Sequence, residues 1–282
     1  SSSAPLERSL QTKFENNLET LLGVRFLASE YATSNGGRMD TLGIDENGYP
    51  VIIEYKRDRS ENVINQGLFY LDWLMDHRGD FELLVRDKYD KSTADAVEWS
   101  APRLICIAAD FSKFDAHAVK QMSRNIELIR YRQFGDDLLM LDLLTTVSTK
   151  PIRMTERDKG KAQKYKTNAQ SLADANVTLT NLYSDIESYM IGLGDDVVQK
   201  ELQNYFAFKR IKNFACIEVK PQINVIRLYL KVDPGTVSME SGYTRDVSSV
   251  GHFGTGDLEV TVSTHEDFER AKGLIVRSYD AS

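Results

Sequence analysis

Leu10, Phe14, Leu18, Leu21 and Leu22 recur at helical spacing and Gly23 follows as a stop, so the chain opens on an amphipathic helix. Strand patterns then take over. Residues 24–31, 39–44 and 51–55 are short runs of strand character, and the last two are joined by Asp45-Glu46-Asn47-Gly48, whose Asn-Gly pair is a strong hairpin signal. A second helix is predicted from Ser60 as N-cap, with Glu61 in its positively polarised first turn, to about residue 77. Residues 81–85 and 104–108 are continuous apolar runs, read as strands covered on both faces. A helix near residues 116–125 and a strand pair at 127–134 and 138–147, turning at Gly135-Asp136-Asp137, complete a mixed α/β layer domain over residues 1–147.

Between residues 148 and 176 the apolar periodicity disappears. Seven basic residues from Lys150 to Lys166 face only Glu156 and Asp158, the pattern of a basic linker. Residues 177–282 follow as a small α+β domain, with a helix near 182–193, a hairpin of 214–219 and 224–232, a strand at 257–262 and a closing helix at 266–278 introduced by Thr264. Within it, the stretch from Tyr205 to Phe214 mixes aromatic and basic residues, a pattern compatible with stacking on bases and contacting phosphates but read first as core aromatics beside an exposed basic turn. Arg227, Tyr229 and Lys231 alternate with apolar neighbours, which predicts one polar hairpin face open to a partner.

The 282 residues carry 41% hydrophobic content, enough to fill a real core, and a formal net charge of −7 that argues against a uniformly basic coat. Cys106 and Cys216 lie inside apolar runs and read as reduced core thiols. No apolar stretch approaches the roughly 20 residues needed to span a bilayer, and the first residues lack the charged and apolar regions of a signal peptide. The expectation is a cytoplasmic protein that contacts no membrane.

The chemistry concentrates around the predicted hairpin. Glu54 and Lys56 lie two apart on a strand and project from one face, and pairing across the Asn-Gly turn brings Asp40 beside Glu54. Hard carboxylate oxygens of this kind suit Mg²⁺ or Mn²⁺, and such ions commonly bridge to a substrate phosphate. Alone, Glu-x-Lys would read as a solvated edge-strand ion pair. It follows Val51-Ile52-Ile53, however, in a strand that looks internal, where charge on a covered face points to function. Gly251 to Gly256 lacks the strand before and helix after that a dinucleotide loop needs, and the four histidines show no ligand spacing.

These residues resemble the PD-(D/E)XK nuclease superfamily, in its RecB-type and NucS-like branch. Gly37-Arg38-Met39-Asp40, Glu54-Tyr55-Lys56 and Gln66-Gly67-Leu68-Phe69-Tyr70 look like its G-R-x-D, E-x-K and Q-x-x-x-Y motifs, in order, over roughly residues 5–109. The resemblance implies a restriction-endonuclease-like mixed sheet flanked by helices. It implies Asp40, Glu54 and the Tyr55 carbonyl as metal ligands, Lys56 as the catalytic lysine, and Gln66 and Tyr70, with Arg38, as support for the site and the DNA backbone. Met39 stands where the superfamily's name has proline. The group also draws a Glu from the first helix, for which Glu7, Glu15 and Glu19 compete. Projected at about 100° per residue, Glu7 points into the apolar stripe while Glu15 and Glu19 fall further round, so Glu7 is favoured and Glu15 is the reserve. Gly67 costs the second helix about 1 kcal/mol of propensity relative to Ala, which a close approach to the sheet or to a phosphate backbone would explain.

The hairpin IEVKPQINVIRLYLKV, the later RDVSSVGHFGTGDLEV and the closing helix resemble DUF5655, a domain with no assigned chemistry, over about residues 182–279. The whole reads as a metal-dependent DNA nuclease that cuts phosphodiesters by activated-water attack. The alternative is a nuclease-fold protein without turnover that binds nucleic acid or a regulatory partner. Strand type, and whether the protein works as a homodimer, are left open by the sequence.

Overall fold

The computed structural model describes residues 4–56, 63–135, 138–147 and 166–282, the side chains of residues 4–7 excepted. The chain divides into two compact units at Gly160 and Lys161. Most of the basic stretch after Val147, residues 148–165, lies outside the described residues, as do Ser60 and Glu61.

The first unit is a six-stranded mixed sheet with helices on its faces. Helices α1 (Ala4–Glu15) and α2 (Leu18–Leu22) lead into strands β1 (Val24–Ala32), β2 (Arg38–Asp45) and β3 (Pro50–Lys56). The single amphipathic helix expected at the start is therefore broken at Asn16 and Asn17, and Gly23 closes α2 in the left-handed conformation at φ +63°. Helices α3 (Val63–Asp76), α4 (Arg78–Lys88) and α5 (Lys91–Asp95) separate β3 from β4 (Arg103–Ala108), and α6 (Lys113–Lys120) separates β4 from β5 (Asn125–Phe134), which turns into β6 (Leu138–Val147). The strands lie in chain order, with β3, β4 and β5 parallel and the others antiparallel.

The expected strand at residues 81–85 is instead part of α4. Phe81 and Val85 are buried one turn apart while Glu82 and Leu83 between them face solvent, a period of 3.6 that a five-residue apolar run conceals. The helix expected near 116–125 begins earlier, at a capping box formed by Ser112 and Asp115, and Asn125 already belongs to β5. On one face of the sheet, α3 and α6 bury Leu71, Leu74 and Val119 against Ile52, Leu104 and Leu128. On the other, the Phe14 ring of α1 meets that of Tyr55 at 5.5 Å.

The second unit pairs helices with a six-stranded antiparallel sheet. Its elements are α7 (Asn168–Ala173), α8 (Val177–Ile191), β7 (Val198–Glu201), β8 (Phe206–Lys209), β9 (Asn213–Lys220), β10 (Val225–Leu230), β11 (Thr244–Asp246), β12 (Leu258–Val262) and α9 (His265–Asp280), with strand order β11-β12-β10-β9-β8-β7. Helix α7 falls within the span read as linker, and Asn168 ties it to β9 by donating to the Ile217 carbonyl and accepting from the Val219 N–H. Phe206, Phe208 and Phe214 pack into the core with Leu182, Ile186 and Ile275. The polar face of β10 is less open than its alternation suggests: the Tyr229 ring lies buried beneath His252, stacked at 4.6 Å.

Candidate functional site

The site forms where β2 and β3 part. Their ladder runs regularly from Ile44↔Pro50 to Thr41↔Ile53 and stops there. One residue further, side chains take over the hydrogen bonds: the Asp40 N–H donates to Glu54 Oε1 at 3.2 Å, and the Tyr55 N–H donates to Asp40 Oδ2 at 2.9 Å. Two carboxylates therefore sit side by side at the open end of the hairpin, each fixed by the backbone of the other's strand.

Their environments differ from that of an ordinary acid pair. Glu54 has no exposed surface, and its Oε2 is buried with no hydrogen-bond partner among the described residues. Burial first, and the Asp40 carboxylate second, push its pKa up from 4.5 to about 9, against the smaller pull of the Asp40 N–H and the Lys56 ammonium. The same burial and the Glu54 charge raise the pKa of Cys106, its partner in the β3–β4 register. Both cysteines are buried free thiols.

Helix α3 supports this corner from the covered face. Tyr70, 6% exposed, accepts through its hydroxyl from the Arg38 N–H at 3.1 Å and from Gln66 Nε2 at 3.3 Å. The i, i+4 pair thus shares a face and grips the start of β2 two residues from Asp40. Two glycines make that contact possible. A Cβ on Gly67 would stand 2.4 Å from Leu104 Cδ1, and one on Gly37 would stand 2.4 Å from Tyr70 Cε1, so the close approach of helix to sheet accounts for Gly67. Arg38 is two-thirds exposed and pairs through Nε with Glu30 Oε2 at 2.6 Å.

Of the three acids proposed from the first helix, the Glu7 side chain lies outside the described residues. Glu15 Oε1 accepts from Thr41 Oγ1 at 2.6 Å and from Gln11 Nε2 at 3.0 Å, which ties it to the residue after Asp40. Glu19 is exposed on α2. Among the described residues, no three or more His, Cys, Asp or Glu side chains form a group that could enclose a metal ion.

Sequence reasoning missed two features. Gln11, buried in α1, donates to the Asp40 carbonyl at 2.7 Å and to Ser29 Oγ at 3.1 Å, fixing the site strand from the helix side. The available signal was a polar residue at about 100° round the helix, inside the apolar stripe. The second is a buried ion triad in the same sheet. Arg103 grips Glu127 with two hydrogen bonds of 2.9 and 2.8 Å and Asp45 with one of 2.7 Å.

Comparison with known proteins adds a domain assignment at the other end of the chain. Residues 156–282 match the family model DUF5655, described as a domain of unknown function. An uncharacterized protein of Haemophilus influenzae is 29% identical over 279 residues, covering 96% of this chain and 91% of the relative. Among solved structures, an EndoMS–dsDNA2 complex matches with 20% identity and a TM-score of 0.31, covering 46% of each chain. A repair endonuclease from Pyrococcus abyssi matches with 19% identity and a TM-score of 0.30, over 45% of this chain and 46% of its own. The chain thus spans about half the length of the solved proteins it matches, and superpositions of that extent assign no residue a role. No helix among the described residues is long and apolar enough to cross a membrane.

Proposed function

We propose that the first unit is a metal-dependent nuclease that hydrolyses phosphodiester bonds of DNA by activated-water attack, with Asp40, Glu54 and Lys56 at its centre. The observation that carries this reading is the orphaned, fully buried Glu54 Oε2 beside the Asp40 carboxylate. A fold that buries a carboxyl and offers one of its oxygens no donor among the described residues leaves a hard oxygen available to a cation, the kind of donor that Mg²⁺ or Mn²⁺ takes once the proton is displaced. Asp40 and Glu54 would hold the ion, with the Tyr55 carbonyl as a further donor. Bound there, it would supply charge stabilisation at the phosphorus oxygens and a lowered pKa for a coordinated water.

The chain's own residues do the rest. Lys56 lies two residues after Glu54 on β3 and brings a positive charge to the same strand face, suited to orienting the attacking water or neutralising the transition state. Tyr70 accepts two hydrogen bonds through its hydroxyl oxygen, so its own proton is directed to a third partner, for which a backbone phosphate is the natural acceptor. Gln66 orients that hydroxyl. Arg38, mostly exposed, can exchange Glu30 for the phosphate strand. The reading draws support from Asp40, Glu54, Gln66 and Tyr70, residues of the three stretches that resemble the superfamily's motifs, being linked around one corner of the sheet by the hydrogen bonds above.

The reading is tested by incubating purified protein with single-stranded, double-stranded and branched DNA in the presence of Mg²⁺ or Mn²⁺. Cleavage is expected from the wild type and not from a Glu54→Ala, Lys56→Ala double variant. An inert wild type, or a double variant that cuts as well as its parent, rules the reading out.

A further inference from the structure

Glu30 belongs to none of the motifs, yet its backbone sets it apart. It is one of two non-glycine residues with positive φ among those described, at +52°; the other, Asn224 at +54°, lies in the turn between β9 and β10, where an asparagine adopts this conformation readily. Glu30 has no such excuse. It lies inside β1, and a left-handed glutamate within a strand is strained, a state that persists only where surrounding structure enforces it and that gathers at functional sites.

The register shows what this position faces. The pairs Ser29↔Thr41 and Tyr31↔Met39 bracket it, which places Glu30 opposite Asp40 across the β1–β2 ladder. The ladder on the other side of β2 ends one residue short of Asp40. Asp40 is thus flanked by an irregular position on β1 and by Glu54 on β3. The Glu30 side chain is about one-quarter exposed and is held by Arg38, and its charge is among those that raise the pKa of Glu54. It is therefore close enough to act on the same pocket, although it does not join Asp40 and Glu54 in a three-acid cage. Divalent ions such as Mg²⁺ keep several waters, and carboxylates beyond the direct ligands hold those waters in place.

We propose that Glu30 supplies the third negative charge of the cation pocket, acting on ion-bound water from outside the direct ligands Asp40 and Glu54, and that the left-handed backbone at this position holds it there. The proposal rests on the reading of Asp40 and Glu54 as a cation site, and its test separates the two. The full-length protein is titrated with Mn²⁺ alone, without nucleic acid, and free Mn²⁺ is followed by electron paramagnetic resonance. Glu54→Gln is expected to abolish binding. Glu30→Gln is expected to weaken it about tenfold, the usual effect of removing a supporting carboxylate. Glu30→Gly, which accepts the same backbone without strain, should weaken binding to the same extent and guards against a loss caused by misfolding. Arg38→Gln, which breaks the ion pair but keeps the Glu30 charge, should not weaken it. If Glu54→Gln binds Mn²⁺ like the wild type, the cation site itself is wrong. If Glu54→Gln fails to bind while Glu30→Gln keeps wild-type affinity, only the role of Glu30 is wrong. Equal weakening in Glu30→Gln and Arg38→Gln also overturns it, because loss of the ion pair then explains both.

Discussion

The sheet of the first unit contains two groups of acids built around buried carboxyls, and β2 contributes the buried Asp45 to one and the half-buried Asp40 to the other. At one end Asp45 and Glu127 share Arg103. Each Glu127 oxygen accepts from the guanidinium, and Asp45 accepts from Arg103 and from the N–H groups of Asn47 and Tyr49 at 2.9 Å. Burial pulls the Arg103 pKa down, but the two carboxylates more than reverse this and hold the cation charged. At the other end Glu54 lies beside Asp40, and one of its oxygens is buried with no hydrogen-bond partner among the described residues. The fold that gives Asp45 and Glu127 a shared buried cation leaves Glu54 Oε2 without a donor among the described residues. A buried acid whose counter-charge is built in is architecture; one with an oxygen left unpartnered among the described residues is an invitation to a ligand.

The comparison breaks first if the triad is dispensable. Arg103→Ala strands two buried carboxylates at the base of the central hairpin, and loss of one partner from a buried ion pair typically costs about 3–5 kcal/mol. The urea midpoint should fall accordingly, with the slope of the transition unchanged. A midpoint within error of the wild type would show that the Arg103 end is no better compensated than the Glu54 end.

The opposite sign is expected at Glu54. Its carboxyl has an ordinary value of 4.5 and is raised to about 9 in the fold, so between these pH values the native state holds more protons than the unfolded chain. Stability of the metal-free protein should therefore decline as pH rises from about 4.5 to 9. Glu54→Gln removes the ionisation and should stabilise the metal-free protein at pH 8 by about 2 kcal/mol after relaxation of the site, while flattening the decline. Excess Mn²⁺ should stabilise the wild type most at the alkaline end, where the ligand is easiest to deprotonate, and should leave the variant unmoved. Thermal unfolding at a series of pH values, in chelator and in Mn²⁺, reads all three effects. A wild type whose stability rises through that window contradicts the assignment.

How much of this was legible in the sequence depended on the range of the interaction. Asp40, Glu54 and Lys56 could be placed together because a two-residue spacing and an Asn-Gly turn fix strand geometry locally, and Gln66 and Tyr70 because one helical turn does. The Arg103 triad could not be read, since it joins a hairpin turn, β4 and β5 through a parallel register that no local pattern encodes. The segment at residues 81–85 misled for a related reason. Four apolar residues around one glutamate fit a covered strand and a half-covered helix equally well, and only packing against the sheet decides. Glu30 gave no signal at all, because a backbone angle is visible only in three dimensions.

The smallest effect separates support of the site from membership in it. Gln11 holds the Asp40 carbonyl and the Glu15 carboxylate from α1, and neither bond touches Glu54. Gln11→Ala removes a buried donor from the Asp40 carbonyl and should cost about 1 kcal/mol, read as a modest fall in the denaturation midpoint. Because Asp40 would keep its bond from the Tyr55 N–H, the alkaline decline in stability set by Glu54 should survive in this variant with its pH range unchanged. If the decline disappears together with Gln11, the burial of Glu54 depends on the helix rather than on the parting of the two strands, and the contrast between the Arg103 and Glu54 ends of the sheet belongs to α1.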